Sequence, residues 1–413
     1  MQVIVIGAGI VGLSSAWYLH EAGYQVTVVD QAGGPGRGAV GGNGAQLSYS
    51  YVQPLADPGL LGALPKMLLD RQGPLKFKPQ WSLQQWRWCI AFLAACRRSV
   101  SRQTTLELLT LAEESRAALE IFLAQHPLAC DFSRTGKLVL YPDAGSLQAG
   151  EAQLQLQASA GSRQQVLGVA ETLAVEPALS GYRKQFHAAI HTPGECAVDG
   201  LKLCTQLASL LAQRGVQFRY HQAVEGFDVG GERVRRVRVT GGEPLPCDAL
   251  VVAAGAHSTA LLAPLGVRLP VYPLKGYSIT VPVSEGPAAP TVSITDLRRK
   301  TVFARIGERL RVAGMVELAA LDSSIPQARI RQLQASTEAL FGPGRDLHDC
   351  QPWTGWRPAT PTGRPILAAL GARNLYFNGG HGALGLTLAF GSARRLLGLL
   401  EGDFAGGGKG GGG

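Results

Sequence analysis

Paired cysteines, metal-ligand spacings and triphosphate-binding loops are all missing from this chain of 413 residues. Its seven cysteines lie scattered, with no CxxC pair and no Cys/His zinc spacing. That suits a reducing compartment with inert buried thiols better than a disulfide framework. The eight histidines form no HExxH or similar pattern, so no metal is expected. Neither a Ser/His/Asp arrangement, a P-loop nor an internal repeat is visible. Charge is sparse too: 17% of residues are charged against 46% hydrophobic, which excludes a disordered chain and fits a packed globule. Long apolar runs fall short of a membrane span. Residues 3–19 are nearly all apolar, but Met1-Gln2 supplies no positive segment and Gly7, Gly9 and Gly12 interrupt the run, so no signal peptide is expected. The run 249–267 contains Gly255, His257, Ser258, Thr259 and Pro264, a strand–turn–helix pattern. No transmembrane helix is expected, and the cytoplasm is the expected location.

Glycine, by contrast, is abundant. Fifty-three glycines exceed what ordinary turns need, so some mark close approach of backbone to a ligand or to other backbone. The length allows two sizeable cores. The N-terminus reads as one complete βαβ unit. Val3-Ile4-Val5-Ile6 is a β-branched run typical of a buried parallel strand, a helical stretch runs from Leu13 to Ala22, Gly23 stops it, and Gln25 to Val29 is a second strand ending at Asp30. Residues 33–45 hold seven glycines and are loop. The pattern from 81 to 125 is helical, Gly136 to Tyr141 is strand-like, Leu201 to Gln213 is an amphipathic helix, and Val216 to Tyr220 and Ala249 to Ala253 are strands. Strands and turns follow from 270 to 317, then a strand Asn374 to Phe377 and a helix ending near Leu400. The glycine-rich end, 405–413, reads as a flexible tail.

The glycines of Gly7-x-Gly9-x-x-Gly12 gain meaning from their setting: they follow a strand, open a helix, and have an acid, Asp30, 18 residues after Gly12. Gly7 permits the tight turn, Gly9 lets backbone approach a pyrophosphate, and Gly12 lets helix and strand pack closely. Amides at the helix start, Ile10 and Val11 included, favour phosphate. Asp30, with Gln31 beside it, suits the hydroxyls of an adenosine ribose. Two further segments point to FAD rather than nicotinamide. Residues 247–255 read as a second cofactor-domain strand ending in Ala253-Ala254-Gly255. Gly379-Gly380-His381-Gly382-Ala383-Leu384-Gly385 opens a helix whose start can offset negative charge on a reduced flavin. The expected fold is therefore α/β: a Rossmann-type FAD-binding domain with a second α+β substrate domain on a mixed or antiparallel sheet. The expected FAD domain is discontinuous (1–80, 190–265 and 340–404), and the substrate domain takes 81–189 and 266–339.

Six segments together resemble the family of FAD-dependent D-amino-acid oxidases and dehydrogenases. They are Gly7 to Gly12 with Ala16-Trp17-Tyr18-Leu19, Asn43 to Ser48, Val271 to Ser278, Arg311 to Glu317, Trp353 to Pro358, and Gly380-His381-Gly382 with Leu384-Gly385. The resemblance runs to about residue 402. It implies oxidative deamination: the neutral amino group's lone pair stabilises a developing iminium, hydride leaves the α-carbon for flavin, and the imino acid hydrolyses to a 2-oxo acid and ammonia. It places Arg305 as the grip on the substrate carboxylate, Tyr277 and Tyr51 in the substrate pocket, and Arg357 facing flavin or substrate. It also places Asn43, Gly44 and Gln46 around the isoalloxazine, Val224 at the adenine, and His381 in a structural role near the flavin. The chain departs from the family at 33–45, where the usual Ala-Gly after the asparagine is inverted to Gly44-Ala45.

Residues 60–102 concentrate eight basic residues (Lys66, Arg71, Lys76, Lys78, Arg87, Arg97, Arg98 and Arg102) against one acid, Asp70, with Trp81, Trp86 and Trp88 among them. An ordinary solvated helix face accounts for this. So does attachment to an anionic membrane on its cytoplasmic face, which suits the quinone or respiratory acceptor that the resemblance implies. No motif supports nucleic-acid binding. Three other functions stay open: a glycine- or sarcosine-type oxidase, a subunit of a heteromeric hydroxyproline or cyanide-forming glycine dehydrogenase, and a non-catalytic flavin-binding electron-transfer subunit.

Overall fold

The computed structural model describes residues 1–69, 73–158, 161–283, 290–342, 347 and 349–407. Two sheets organise it. The first has six described strands in the spatial order Ile366–Ala369, Leu375–Gly379, Ala249–Val252, Gln2–Ile6, Gln25–Val29 and Gln217–Arg219. All its pairings are parallel except that of the edge strand Ile366–Ala369. The β-branched run at the N-terminus explains its central place. Val3 and Val5 face a helical layer that includes Leu13, Trp17, Leu108 and Phe390, while Ile4 and Ile6 face Phe227, Val234 and Val237 of a three-stranded antiparallel layer. A strand buried on both faces has no room for alternating polar residues. The helices Ile10–Glu21, Gly200–Gln213 and Gly385–Gly407 match the expected βαβ and terminal helices, the last reaching seven residues past Leu400. The rest of the tail, 408–413, lies outside the described residues. By length and composition the segment Gly382–Asp403 could cross a bilayer, but Leu388, Phe390 and Leu396 are buried in the core against the first helix.

The second sheet is mixed, with nine described strands. Its path runs Gln351–Ala359, Tyr272–Pro282, Arg309–Leu318, Thr301–Ile306, Ser293–Asp296, Lys137–Tyr141, Ala188–Thr192 and Gln165–Leu167, and Leu75–Phe77 pairs in parallel with Arg309–Leu318. Its outer face packs on the helix Gln327–Phe341 through Tyr277, Ile279, Phe303 and Leu333. Its other face looks toward the glycine-rich segment 33–45: Ser278 Oγ donates to Gly42 O at 2.6 Å.

Sheet membership cuts across the domain boundaries expected from sequence. Leu75–Phe77, Ala188–Thr192 and Gln351–Ala359 all join the second sheet. The helix Arg98–Gln125, expected in the substrate domain, instead covers the first layer, with the Phe122 ring 4.9 Å from Trp17 and 5.1 Å from Phe390. Its apolar stripe was readable, but a stripe does not say which sheet it covers.

Candidate active site

Between the sheets lies one continuous cavity of about 950 Å³, at the upper end of the range usual for ligand pockets. Its first end is built by the glycine turn. Gly7 adopts φ +111°, and a Cβ on Gly12 would collide with the Gly7 carbonyl, so Gly12 packs helix against strand instead of facing the cavity. Gly9 is the position where a Cβ would meet no protein atom within 4 Å, and it caps the helix Ile10–Glu21 with no side chain over the helix start. Ile10 and Val11 line the opening. Asp30 accepts from Ala8 N at 2.6 Å and from Ala32 N at 2.8 Å, which fixes the carboxylate at the end of its strand with lone pairs still free. Gln31, Val224, Ala254 and Gly255 line the same end.

The far end lies under the second sheet. Asn43, Gly44, Gln46, Tyr51 and Arg357 line it, as do Gly382, Leu384 and Gly385 at the start of the terminal helix. Ala45 holds φ +57°, a left-handed conformation that the glycine of the usual order would take more easily, and its amide donates to Asn43 Oδ1 at 3.0 Å. Gln46 Nε2 donates to the carbonyls of Ile294 and Phe303, both at 3.1 Å, so this side chain ties the loop to the second sheet. His381 faces the cavity, bonds Ser392 Oγ at 3.1 Å, and is pushed down to about 4 by burial, so its ring is neutral. Gly380 stands just behind, its φ of +77° turning the chain beside Thr360.

Arg357 is the cationic anchor of this end. Its guanidinium lies over Gly276, where a Cβ would come within 2.5 Å of both terminal nitrogens, and Nη1 donates to Met315 O at 3.0 Å. No carboxylate lies within salt-bridge distance among the described residues, and burial lowers its pKa to about 10. Tyr51 lines the same cavity, with its hydroxyl pushed up to about 12 by burial.

Of two further expected residues, one lies outside the cavity and the other borders it with its side chain turned away. Arg305 does not line the cavity. Strand alternation puts it on the same face as Phe303, which packs outward, while Val302 and Ala304 face inward, and its Nε donates to Gly307 O at 3.0 Å in the hairpin turn. Tyr277 borders the cavity, but its side chain shares the outer face with Ile279 and Val281. Burial first and Glu317 second push its hydroxyl up. The inward positions of that strand are Leu274, Gly276 and Ser278. A single arginine or tyrosine in a strand carries no mark of which face it takes.

Sequence reasoning missed Lys137, Trp353, Trp356 and Asn378, all of which line the cavity. The one available signal was Lys137 itself, a lysine at the head of an otherwise apolar strand. Two buried polar atoms in this lining, Asn378 Oδ1 and Trp356 Nε1, have no partner among the described residues. Unpartnered buried polar atoms, a bare helix start behind Gly9 and an elongated cavity between the sheets together fit a dinucleotide such as FAD.

Comparison with known proteins agrees with this geometry. A family profile described as FAD dependent oxidoreductase matches residues 2–399. A D-amino acid dehydrogenase 2 of Ralstonia nicotianae is 47% identical over 410 residues, covering 97% of this chain and 96% of its own length. The protein of that name from Pseudomonas aeruginosa is 44% identical, covering 96% of this chain and 94% of its own. Among solved structures, glycine oxidase from Bacillus cereus superposes with a TM-score of 0.74 at 18% identity, over 97% of this chain and 95% of that one, which speaks for the fold alone.

Proposed function

Because this chain belongs to the DAO family of FAD-dependent oxidoreductases, we propose that it deaminates D-amino acids oxidatively, giving a 2-oxo acid and ammonia. The observation that carries the reading is Arg357: a guanidinium facing the cavity without a carboxylate partner, in a chain close to relatives named D-amino acid dehydrogenase. A guanidinium fork matches the two oxygens of an α-carboxylate. FAD, when bound, supplies the two-electron acceptor. The protein's part is chiefly positioning: Arg357 fixes the carboxylate, Tyr51 and the indoles of Trp353 and Trp356 wall the cavity, and residues 382–387 offer a helix start that favours negative charge.

Electrons leave, in this reading, to a quinone in the cytoplasmic face of an anionic membrane. The helix Leu83–Ala95 supports it. It buries Gln85, Trp88, Phe92 and Ala95 on one side, yet exposes Leu83, Trp86, Ile90 and Leu93 on the opposite side, next to a fully exposed Trp81. Arg87 on the same helix and Arg97, Arg98 and Arg102 just after it in the chain are exposed. Arg71 and the side chain of Lys66 lie outside the described residues.

The test is product analysis with a dye acceptor. D-alanine should give pyruvate and ammonia in equal amounts and L-alanine neither; equal turnover of both enantiomers, or hydrogen peroxide formed in air as fast as dye is reduced, contradicts the reading.

A further inference from the structure

Lysine is almost never fully buried without a partner. The second sheet shows how such a partner looks: buried Lys275 has Asp322 at 3.1 Å and the Ser324 carbonyl at 2.7 Å. Lys137 is different. It is 3% exposed and lines the cavity, yet no carboxylate lies within 4 Å of it among the described residues. Its Nζ has one oxygen acceptor, Ser48 Oγ at 2.7 Å, and stands 4.4 Å above the Tyr51 ring. Ser48 is in turn fixed through its amide, which donates to Thr387 Oγ1 at 3.3 Å in the terminal helix. An amine with three donor sites and one acceptor is poorly held as a cation.

The reaction proposed above, on which this inference rests, needs such a group. Amino acids arrive with a charged ammonium, and only the neutral amine has a lone pair to assist loss of hydride. A base must take the proton first. His381 is neutral but titrates at about 4, too weak to hold that proton near pH 7. Arg357 stays charged, and the Tyr51 hydroxyl stays protonated. Lys300, the other lysine along the cavity, is also lowered by burial, with Asp296 opposing, but its side chain is exposed and so can keep its proton in contact with water.

We propose that Lys137 is the catalytic group that accepts the proton of the substrate ammonium, with Ser48 as the residue that positions it. One N–H bond breaks on the substrate and one forms on Nζ, directly or through the Ser48 hydroxyl. No electrons are transferred in this step; the two-electron oxidation follows it. Burial lowers the lysine to about 8, and Glu195 opposes the shift. Glu195 is itself raised by burial and held by the amides of Tyr49 and Ser50, both at 2.7 Å. Other charged or titratable groups on this side are Arg116, over the Tyr49 ring, with Glu120 and Arg134 beside it; Tyr49, Tyr141 and Cys196, all raised by burial; and His191 on the adjoining strand, lowered by burial. The neutral, working form of Lys137 therefore grows as pH rises through about 8.

The experiment is the rate of anaerobic flavin bleaching by D-alanine from pH 6 to 10, with the FAD-loaded protein and its Lys137→Met, Lys137→Arg and Ser48→Ala variants. Wild type should rise with its midpoint near pH 8 and level off above it. Lys137→Met should be slower by about 10²-fold at pH 7, the scale of general-base catalysis, and should keep rising until the substrate's own ammonium ionises. Lys137→Arg should be as slow, because a guanidinium cannot take the proton; recovery by arginine would overturn the base role in favour of a charge alone. Ser48→Ala, by removing the acceptor that favours the charged form, should move the rise to lower pH. A readout independent of turnover is the binding of 2-aminoisobutyrate, which has no α-hydrogen: its pH dependence should change in Lys137→Met. An unchanged pH profile in Lys137→Met, with wild type active, would overturn the assignment while leaving the proposed function intact. If Lys137→Met does not retain FAD, an unshifted Ser48→Ala profile or a wild-type rise far from pH 8 overturns it. Wild type that no amino acid bleaches would instead sink the proposed function.

Discussion

Arg357 carries a charge that no carboxylate among the described residues neutralises, and it carries it at the wall of a cavity. A hydrogen bond to a charged group contributes roughly 1.5–3 kcal/mol. Replacing Arg357 with Lys keeps the charge but loses the fork, so KM for D-alanine should rise by about 10–100-fold with a smaller change in kcat. Arg305→Ala, at the outward-facing hairpin, should leave KM within about twofold, the size expected of a surface change. Steady-state kinetics of the two variants decide between them: a large KM effect from Arg305 and none from Arg357 would reverse the assignment. Gly276 extends the same argument to a residue without a side chain. A methyl there comes within 2.5 Å of both terminal nitrogens of Arg357. Gly276→Ala should therefore weaken substrate binding while FAD content stays at the wild-type level; unaltered kinetics would show that the guanidinium does not depend on this seat. The motif around Gly276 was visible in the sequence, but its reason was not, because the arginine it seats lies 81 positions away on a neighbouring strand.

At the scale of elements, the helix Leu83–Ala95 has apolar residues on two opposite sides: one is buried in the fold, and the other is exposed, with Trp86 edge-on to Phe77 at 5.8 Å. Trp88 stacks on Phe92 at 5.1 Å inside the molecule, whereas Leu83, Trp86, Ile90 and Leu93 look out. With about 1 kcal/mol from each basic residue near an anionic surface, the exposed arginines on and just after this helix add materially to binding. The protein should co-sediment with phosphatidylglycerol vesicles and not with phosphatidylcholine vesicles, less so at high salt. Replacing Ile90 and Trp86 with Glu should abolish this without changing dye-linked activity. Binding that survives the double substitution would place the contact elsewhere. Sequence showed the basic residues and the tryptophans of this stretch, yet not which tryptophan is inside: Trp88 is buried and Trp86 exposed, two positions apart on one helix.

For the whole molecule, the cofactor layer was legible because local rules decide it. A β-branched strand, a glycine turn, a helix and an acid at the next strand's end lie within thirty residues, and the sheet forms as that pattern requires. The second layer was legible only as strands and turns. Its order depends on pairings between distant segments, such as Lys137–Tyr141 beside Ser293–Asp296, and on which face each strand turns to the cavity. That is why Arg305 and Tyr277 were expected in the site and Lys137 was not. Once the two layers close, Arg357 and Lys137 line the same cavity that Gly9 and Asp30 open. The most direct test of this account is an anaerobic absorbance titration of the purified yellow protein with D- and L-amino acids, glycine and proline analogues. The account predicts that the flavin bands bleach with D-amino acids and persist with their L-enantiomers; bands that persist with every amino acid, or bleach equally with both enantiomers, would contradict it.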